Sequence, residues 1–278
     1  MSRTAALLTS FNRRATTLAS LDRLLEQHCD TELTIFLADD NSPDGTAAAV
    51  SARFPQVRLL HGDGSLFWCG GMRAAFAAAL REDFDFYLWL NDDTVLDGDA
   101  LERLFGTYRA AGAEKTIVAG STRDPNTGEL TYGGAVRSSR FHPLKFRLLE
   151  PADHPLRCDT VNGNVVLIPR AVAAVTGNLR QFRHAMADYD YGLRARAAGC
   201  SIYLAPGTVG TCSRNADSGT FRDAGLPLGR RWQQLMSDKG LPPGDYLRYA
   251  RRHAGPLWPL YWAMPYFRIV LDSVLRRG

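Results

Sequence analysis

Two adjacent carboxylates, Asp92 and Asp93, follow an apolar stretch of the chain. The stretch is FDFYLWL, residues 84–90, and it is typical of a buried strand. Neighbouring carboxylates repel each other unless a positive charge lies between them or they face solvent. A hard cation such as Mg²⁺ or Mn²⁺ binds one or two carboxylates and keeps other positions for substrate phosphates. The segment therefore predicts either an acidic turn or a cation site.

A second acidic segment, ADDNSPDGT at residues 38–46, superficially matches the start of a calcium-binding EF-hand loop. That loop needs a bidentate glutamate at its twelfth position, which is Ser51 in this chain, so the calcium interpretation fails. A polar turn that caps a helix at Thr46 accounts for Asp44. It does not require two acids directly after the strand.

The glycine-rich segment GDGSLFWCGGMRAA, residues 62–75, is not a dinucleotide-binding fingerprint, because Phe67 stands where the third glycine is needed. Gly70 and Gly71 precede a predicted helix. They would allow backbone N–H groups to approach a phosphate. Small residues for helix packing explain the same spacing, so both interpretations stay open.

Two further acids, Asp188 and Asp190, lie at the start of a predicted helix. Capping and the helix dipole account for one of them. Two acids that flank a tyrosine, at the entrance to an arginine-rich helix, leave room for a general base.

Strands must alternate with helices to position these segments. Hydrophobic periodicity predicts strands at 4–10, 32–38, 57–61, 84–90, 161–169 and 201–205, and helices at 16–28, 46–53, 72–81, 99–111 and 188–198. This alternation predicts βαβ units and a mainly parallel sheet. Ligands bind beyond the carboxyl ends of such strands. We therefore expect the polar segments 39–45, 62–65 and 91–93 to gather at one edge.

Composition narrows the class of protein. The 278 residues suffice for one large domain or two small ones, and the five cysteines form no C-x-x-C pair. An odd number of unpaired cysteines argues against a disulfide framework or a structural zinc site and favours a reducing compartment. The apolar patch near the N-terminus is too short for a signal peptide, and no stretch is long enough to span a membrane. We expect a cytoplasmic protein.

Positive charge is concentrated at the C-terminus. From Arg230 onward there are nine Lys/Arg and three Asp/Glu, whereas the preceding 229 residues carry 24 and 26. Aromatic residues lie between these arginines, namely Trp258, Tyr261, Trp262, Tyr266 and Phe267. The combination favours a membrane interface over nucleic acid. A helical layer packed on the core explains the same pattern.

Five segments together resemble the family 2 inverting glycosyltransferases with the GT-A fold. In chain order they are LLTSFNR, LADDNSPDGT, LWLNDDTVL, VNGNVVLIPR and DYDYGLRARAAG, and the resemblance covers residues 4–212. It implies a Rossmann-like, mainly parallel α/β sheet flanked by helices. It also implies a nucleotide-sugar-binding and catalytic domain at 1–215, followed at 216–278 by a loop and a basic, aromatic helical extension.

On the donor side, the resemblance implies that Asp39 contacts the nucleobase and that Thr9 and Arg13 fall in the loop that wraps the nucleotide. Further donor-binding candidates are Trp68, Gly70, Gly71 and Asn91. The implied donor is a nucleoside-diphosphate sugar, with dTDP- or UDP-sugars expected. The implied acceptor is a glycan or a polyprenyl-linked sugar.

On the chemical side, Asp93 occupies the position of a ligand for Mg²⁺ or Mn²⁺, Asp92 would face the ribose or sugar, and Asp188 matches the catalytic base. A bound metal neutralises the charge on the leaving diphosphate in a single in-line displacement. The base removes the proton of the acceptor hydroxyl from the opposite face. The predicted outcome is inversion at the anomeric carbon.

Three departures from the family pattern affect these roles. The glutamate that usually precedes the base is Ala187, which leaves Asp188 and Asp190 open as alternatives. The histidine that commonly follows the last strand is Cys212, a poor partner for Mg²⁺. The Q-x-x-R-W signature of processive synthases is reduced to Arg231-Trp232, so we expect transfer of one or a few sugars.

The leading hypothesis is a metal-dependent inverting transferase in surface polysaccharide synthesis, of rhamnosyl or galactofuranosyl type, docked at the inner face of the membrane through its C-terminal tail. A sugar nucleotidyltransferase is one alternative, although LLTSFNRR lacks the glycine-rich loop of that class. A non-catalytic nucleotide-sugar-binding protein is another, favoured by Ala187 and Cys212.

Overall fold

A computed structural model describes residues 1–214 and 217–275, without the side chains of 273–275. The strands are β1 (Ser2–Ser10), β2 (Thr31–Asp39), β3 (Arg58–His61), β4 (Phe86–Leu90), β5 (Val95–Leu96), β6 (Thr116–Arg123), β7 (Leu130–Tyr132), β8 (Gly134–Arg137), β9 (Phe146–Leu148), β10 (Leu156–Arg157), β11 (Thr160–Val161), β12 (Val165–Pro169) and β13 (Ser201–Thr211). The helices are α1 (Arg14–Leu25), α2 (Thr46–Arg53), α3 (Phe67–Ala79), α4 (Ala100–Ala111), α5 (Arg170–Thr176), α6 (Ala187–Ala197), α7 (Leu228–Met236), α8 (Pro243–His253) and α9 (Trp258–Leu275).

The main sheet has the strand order β10-β13-β6-β12-β4-β1-β2-β3, and a small second sheet has the order β11-β8-β9. Strands β4, β1, β2 and β3 run parallel to one another, and β6 runs parallel to β13. Strand β12 is antiparallel to both β4 and β6. The predicted mainly parallel α/β sheet flanked by helices is confirmed.

Side chains of the central strands alternate between two covered faces, as the period-two geometry of a strand requires. On one face, Leu88 belongs to a buried cluster with Leu21 of α1 and residues of α4. On the other face, the ring of Trp89 lies 6.1 Å from Phe76 of α3 and 4.8 Å from Tyr191 of α6, centroid to centroid. Burial on both faces explains why these strands are nearly continuous apolar runs.

The predicted start of the third helix was wrong. It was expected at residue 72, but α3 begins at Phe67, so Gly70 and Gly71 lie inside the helix and not ahead of it. The N–H of Gly70 donates to the carbonyl oxygen of Leu66 at 2.9 Å. The cause is a cap from a distant residue, because Asp40 Oδ2 accepts the N–H groups of Leu66 and Phe67 at 2.9 and 3.2 Å.

The strand expected at 161–169 is two strands in different sheets. Strand β11 ends at Val161 and β12 begins at Val165. The three residues between them turn the chain, and the N–H of Asn162 donates to the carbonyl oxygen of Gly133 at 2.9 Å. Strand β13 also continues to Thr211, beyond the predicted end at 205.

Two compact units make up the chain. The main unit comprises Met1–Val136, Leu148–Gln181 and Ala187–Arg214, and the C-terminal unit comprises Arg137–Arg147, Phe182–Met186 and the residues after 214. The expected domain boundary between residues 215 and 216 falls on two positions outside the described residues. The domain limits 1–215 and 216–278 therefore stay a prediction.

The C-terminal unit is built around α9, which contains a proline. Pro265 has no N–H for the carbonyl of Tyr261, four residues earlier, and a proline inside a helix leaves such a carbonyl unpaired. The hydroxyl of Tyr246 on α8 donates to that carbonyl oxygen at 3.3 Å. Within residues 1–214 and 217–275, no helix is long and apolar enough to cross a membrane.

Gly71 must be a glycine because α3 lies against β1. A Cβ at this position would be 1.9 Å from Thr9 Oγ1, whereas a Cβ on Gly106 in α4 would have nothing within 4 Å. We expect Gly71→Ala to lower the free energy of unfolding by about 1–3 kcal/mol through overpacking. Gly106→Ala, the matched control, should raise it by up to about 1 kcal/mol. Urea unfolding measures both, and equal stability of the two variants would contradict the packing account.

Candidate active site

Loops from the carboxyl ends of neighbouring parallel strands meet at one edge of the sheet. Two residues of these loops, Asn12 (φ 55) and Asn41 (φ 58), have left-handed backbone, and so does Phe67 (φ 52), the first residue of α3. Such a conformation is unusual for a bulky side chain, and strained backbone clusters at functional sites. The predicted convergence of the polar segments is therefore seen in the structure, and the strained residues lie where they converge.

Arg13 supplies the positive charge between the two adjacent carboxylates. Its Nη1 lies 3.4 Å from Asp92 Oδ1 and forms a second, shorter ion pair with Asp93 Oδ2. Burial disfavours the charged guanidinium, but the two carboxylates outweigh it and raise the pKa of Arg13 above its ordinary value. Arg13 thus compensates part of the negative charge of the acidic pair that follows β4.

The loop after β2 holds Arg13 in place through the backbone on either side of it. The N–H of Asn12 donates to Ser42 Oγ at 3.0 Å, and the N–H of Arg14 donates to Asp44 Oδ2 at 2.8 Å. Asp44 also accepts the N–H of Thr46 at 3.0 Å. The polar turn that resembled a calcium loop therefore positions a cationic side chain.

Asp92 is almost entirely buried, with 5% of its surface exposed. Burial raises its pKa to about 6, although Arg13 and hydroxyl groups oppose the rise. The hydroxyl of Thr17 in α1 donates to Asp92 Oδ2 at 3.3 Å. Asp92 therefore titrates close to neutral pH and is held in place by its neighbours.

Asp93 is the more accessible carboxylate, with 23% of its side chain exposed. Cys212 lies 3.3 Å from Asp93 Oδ1 and accepts a hydrogen bond from Asn164 Nδ2 at 3.4 Å. Burial, followed by the charge of Asp93, raises the pKa of the Cys212 thiol to about 12. In the metal-free protein Cys212 is therefore a thiol at neutral pH, and it donates to Asp93.

These side chains fit a divalent cation only in part. In the described portion of the chain, no three His, Cys, Asp or Glu residues are grouped so as to hold a metal ion. Asp93 offers one accessible carboxylate, and oxygen ligands suit Mg²⁺ and Mn²⁺. Such a site is complete only when a ligand such as a diphosphate supplies further oxygens.

Asp188 and Asp190 have different surroundings. Asp190 is fully buried and bonded to Arg194 Nε at 2.8 Å, and Arg194 also donates to the carbonyl oxygen of Asn178. Asp188 is only partly buried. It accepts the N–H groups of Gly163 at 3.0 Å and Tyr189 at 2.8 Å. Burial raises the pKa of Asp188, and these N–H groups oppose the rise.

A turn at residues 162–164 links the Asp188 carboxylate to the acidic pair. Gly163 donates to Asp188, and the carbonyl oxygen of Asn164 accepts the N–H of Asn91 at 2.9 Å. Trp68 Nε1 donates to Asn91 Oδ1 at 2.8 Å. A Cβ on Gly163 would lie 2.3 Å from the Trp68 ring, so only glycine fits there. Trp68 and Asn91 thus lie between the two carboxylate positions.

Asp39 lies at the end of β2 and has 2% of its surface exposed. Its Oδ2 accepts the N–H of Ser42 at 3.0 Å. Its Oδ1 is buried and has no hydrogen-bond partner among the described residues. A buried carboxylate oxygen without a partner is rare, and an incoming donor group would satisfy it.

The expected placement of Thr9 was wrong. Thr9 lies within β1 and not in a loop, and its hydroxyl donates to the carbonyl oxygen of Ala38 at 3.2 Å. It faces Gly71, so both residues serve the packing of α3 on β1. Sequence reasoning in turn assigned no role to Asp40, which binds the loop before α3, although two acids directly after a strand were the available signal.

The burial of Asp92 gives a pH-dependent prediction for the metal-free protein. The native state holds its proton up to about pH 6 and the unfolded state only up to about 3.8, so charge on Asp92 destabilises the fold as the pH rises. Relative to the parent, Asp92→Asn should gain up to about 3 kcal/mol of unfolding free energy between about pH 4 and pH 7. Denaturant unfolding with EDTA at each pH measures the difference.

Asp44→Asn is the control for this experiment. Hydrogen bonds, first of all from the Thr46 hydroxyl, lower the pKa of Asp44, so its titration lies below the chosen pH range. Its difference from the parent should stay flat. A flat profile for Asp92→Asn as well would show that the pKa of Asp92 is not raised.

Comparison with known proteins completes the description. A model of glycosyl transferase family 2 matches residues 6–167, more than half of the chain. No curated protein matches the sequence. A solved mannosyltransferase, PcManGT from Pyrobaculum calidifontis in complex with GDP-Man and Mn2+, has a TM-score of 0.57 and 16% identity, covering 99% of this chain and 73% of that chain. At that identity the likeness shows the fold alone. From the family match, this chain is a glycosyltransferase that belongs to glycosyl transferase family 2 and has the GT-A fold.

Proposed function

We propose that this protein is an inverting glycosyltransferase that moves a sugar from a nucleoside diphosphate to a glycan or lipid-linked acceptor in surface polysaccharide synthesis. The observation that supports it best is the 162–164 turn, which joins Asp188 to the Asn91–Asp93 segment by hydrogen bonds. An inverting transfer needs a base on one side of the sugar and the leaving diphosphate on the other. A shared turn holds both groups at fixed positions, which contributes to the rate.

Asp39 is the proposed contact for the nucleobase. Its Oδ1 is buried and unpartnered, whereas its Oδ2 is already bound to the Ser42 N–H. The ring N–H of uracil or thymine would donate to this oxygen and satisfy it. This chemistry fits the expected UDP- or dTDP-sugar donor, and the ring N–H of guanine in a GDP-sugar would satisfy the same oxygen.

Asp93 is the proposed ligand for Mg²⁺ or Mn²⁺, in line with the Mn2+ named for the mannosyltransferase. When bound, the cation neutralises charge on the leaving diphosphate. Asp93 is also the partner of Arg13, so the guanidinium and the cation compete for one carboxylate. Arg13 released from Asp93 is a second positive charge for the phosphates, and Cys212 keeps Asp93 oriented by donating to its other oxygen.

Asp188 is the proposed catalytic base. It takes the proton of the acceptor hydroxyl as that oxygen attacks the anomeric carbon, and the product carries the inverted configuration. Its partial exposure leaves it open to a substrate, and its raised pKa makes it a stronger base. Asp190 is instead the structural partner of Arg194.

Calorimetry tests the donor site. UDP-, dTDP- and GDP-sugars are titrated into the protein with Mg²⁺ or Mn²⁺ and again with EDTA. We expect EDTA to weaken binding of one nucleotide series at least about tenfold, which is about 1.4 kcal/mol. Asp93→Asn should bind weakly whether or not metal is present. Asp153→Asn is the control, since Asp153 is 95% exposed and bonded to the neighbouring His154. Parent binding that EDTA leaves unchanged would remove the metal from the proposal.

Substitution of each aspartate of α6 by asparagine tests which of them is the catalytic base. We expect Asp188→Asn to lower kcat by about 10²–10⁴-fold while donor affinity stays unchanged. The parent kcat/KM should fall as the pH drops below the raised pKa of Asp188, because the base is then protonated. Asp190→Asn should instead lower stability, since it leaves Arg194 buried without its charge partner.

Turnover and thermal unfolding of both variants separate the two roles. Loss of turnover in a well-folded Asp190→Asn protein, with Asp188→Asn active, would reverse the assignment. Donor binding without any turnover in the parent would instead indicate a non-catalytic nucleotide-sugar-binding protein.

A further inference from the structure

We propose that the outer face of α9, with the apolar groove beside it, docks on a bilayer that contains anionic lipids. The inference deepens the proposed function and rests on it, because a lipid-linked acceptor lies at such a surface. The surface is defined by Leu260, Phe267 and Leu271 on α9 and by the groove that Trp232 and Trp262 help to line. All of these residues belong to the C-terminal unit.

Large apolar side chains form one exposed stripe along α9. Leu260 is 57% exposed, Phe267 74% and Leu271 58%. Their spacing of seven and four residues places them on one face of the helix. Leu257, just before α9, is also 60% exposed. Apolar side chains exposed singly are ordinary, but a continuous stripe marks an interaction surface.

The opposite face of α9 is fixed inside the unit. Tyr261 and Ile269 are buried, with 8% and 3% of their surfaces exposed. The hydroxyl of Tyr261 donates to the carbonyl oxygen of Phe141, and Trp262 Nε1 donates to that of Pro243 at 3.1 Å. The helix therefore already has its protein partners, and the stripe is a second apolar face.

The groove beside the stripe suits hydrocarbon. Its volume is about 350 Å³, and it is lined by Trp232, Met236, Pro243, Trp262, Ala263, Tyr266 and Phe267. Trp262 Nε1 already donates to the carbonyl oxygen of Pro243, and the hydroxyl of Tyr266 donates to that of Leu241. A sugar would need such groups for its hydroxyls, whereas an acyl chain needs none. Tryptophan and tyrosine are also the side chains enriched at the bilayer interface.

The positive charge of the C-terminal unit indicates which partner binds the apolar surface. The helices of the C-terminal unit carry exposed arginines, with Arg268 next to Phe267 in α9, Arg230 in α7, and Arg251 and Arg252 in α8. Basic side chains attract an anionic leaflet. In a symmetric dimer the same face would meet itself, and like charges would oppose each other. Anionic lipid therefore fits better than a second copy of the chain.

The mode of contact follows from the helix. One face of α9 is packed within its unit and the other carries the stripe, with Arg268 beside Phe267. A helix held in this way would lie in the interface plane, with the stripe in the outer part of the leaflet. None of the helices in the described part of the chain meets the length and hydropathy that spanning requires. Docking on the surface is thus the contact that this helix allows.

Vesicle co-sedimentation of the full chain tests the surface. Vesicles contain either phosphatidylcholine alone or equal parts of phosphatidylcholine and phosphatidylglycerol. We expect the parent to bind the mixed vesicles, with a weaker interaction at high salt. The double variant Phe267→Ser/Leu271→Ser should bind at least about tenfold more weakly, because two apolar side chains no longer enter the leaflet. The control Val175→Ser, on an exposed site of α5, should bind like the parent.

A charge-reversal variant tests the contribution of the arginines to vesicle binding. Arg251→Glu/Arg252→Glu should lose the preference for phosphatidylglycerol while the apolar stripe stays intact. Equal binding of the parent and the stripe variant would overturn the proposal. So would a parent that is dimeric in gel filtration and becomes monomeric in the stripe variant, since a second copy then covers the face.

Donor calorimetry on the same preparations separates this proposal from the proposed function. The stripe variant should bind the nucleotide sugar as the parent does. Vesicle binding without any donor binding in the parent would leave the docking surface standing and refute the donor site. Donor binding and turnover without vesicle binding would refute the docking surface alone.

Discussion

The site depends on how the charge of two adjacent carboxylates is balanced at the end of a buried strand. Asp92 has almost no exposure to water, and Asp93 follows it directly. Burial of an anion is costly unless a cation or hydrogen-bond donors compensate it. In this protein Arg13 is the compensating cation. Any diphosphate or metal that binds at Asp93 must therefore enter a site where Arg13 already compensates part of the negative charge.

Arg13 is held beside the two carboxylates because the loop after β1 is bound to the loop after β2. The backbone on both sides of Arg13 is bound by Ser42 and Asp44 from the loop after β2. Asp40 from that loop in turn binds the N–H groups that open α3. The acids after β2 thus organise the loops after β1 and β3, and the parallel sheet brings these loops together. Polar turn residues and site residues are one network.

The sequence predicts the positions of the central strands better than the start of α3 and the turn at residues 162–164. Alternating apolar runs located the first four strands to within two or three residues, because both faces of the sheet are covered. The two glycines Gly70 and Gly71 led to a predicted start of α3 that is too late. The helix begins earlier because Asp40, which is distant in sequence, accepts an N–H group at its start. The strand expected at 161–169 is interrupted by a turn at Gly163, where close contact with the Trp68 ring leaves room only for a glycine. Spacing alone also could not separate Asp188 from Asp190, because the difference lies in exposure and in the tertiary contacts of Arg194.

Cys212 determines which chemistry is available beside Asp93. A histidine at that position would bring a nitrogen ligand, whereas a thiol with a pKa of about 12 brings a hydrogen-bond donor at neutral pH. Asp93 is then the more accessible carboxylate of the pair, and in the proposed site a cation would take its remaining ligands from water and the diphosphate. Metal and donor should therefore bind cooperatively, because each supplies what the other needs. Arg13 would reinforce this coupling, since its ion pair with Asp93 must open before a metal binds there.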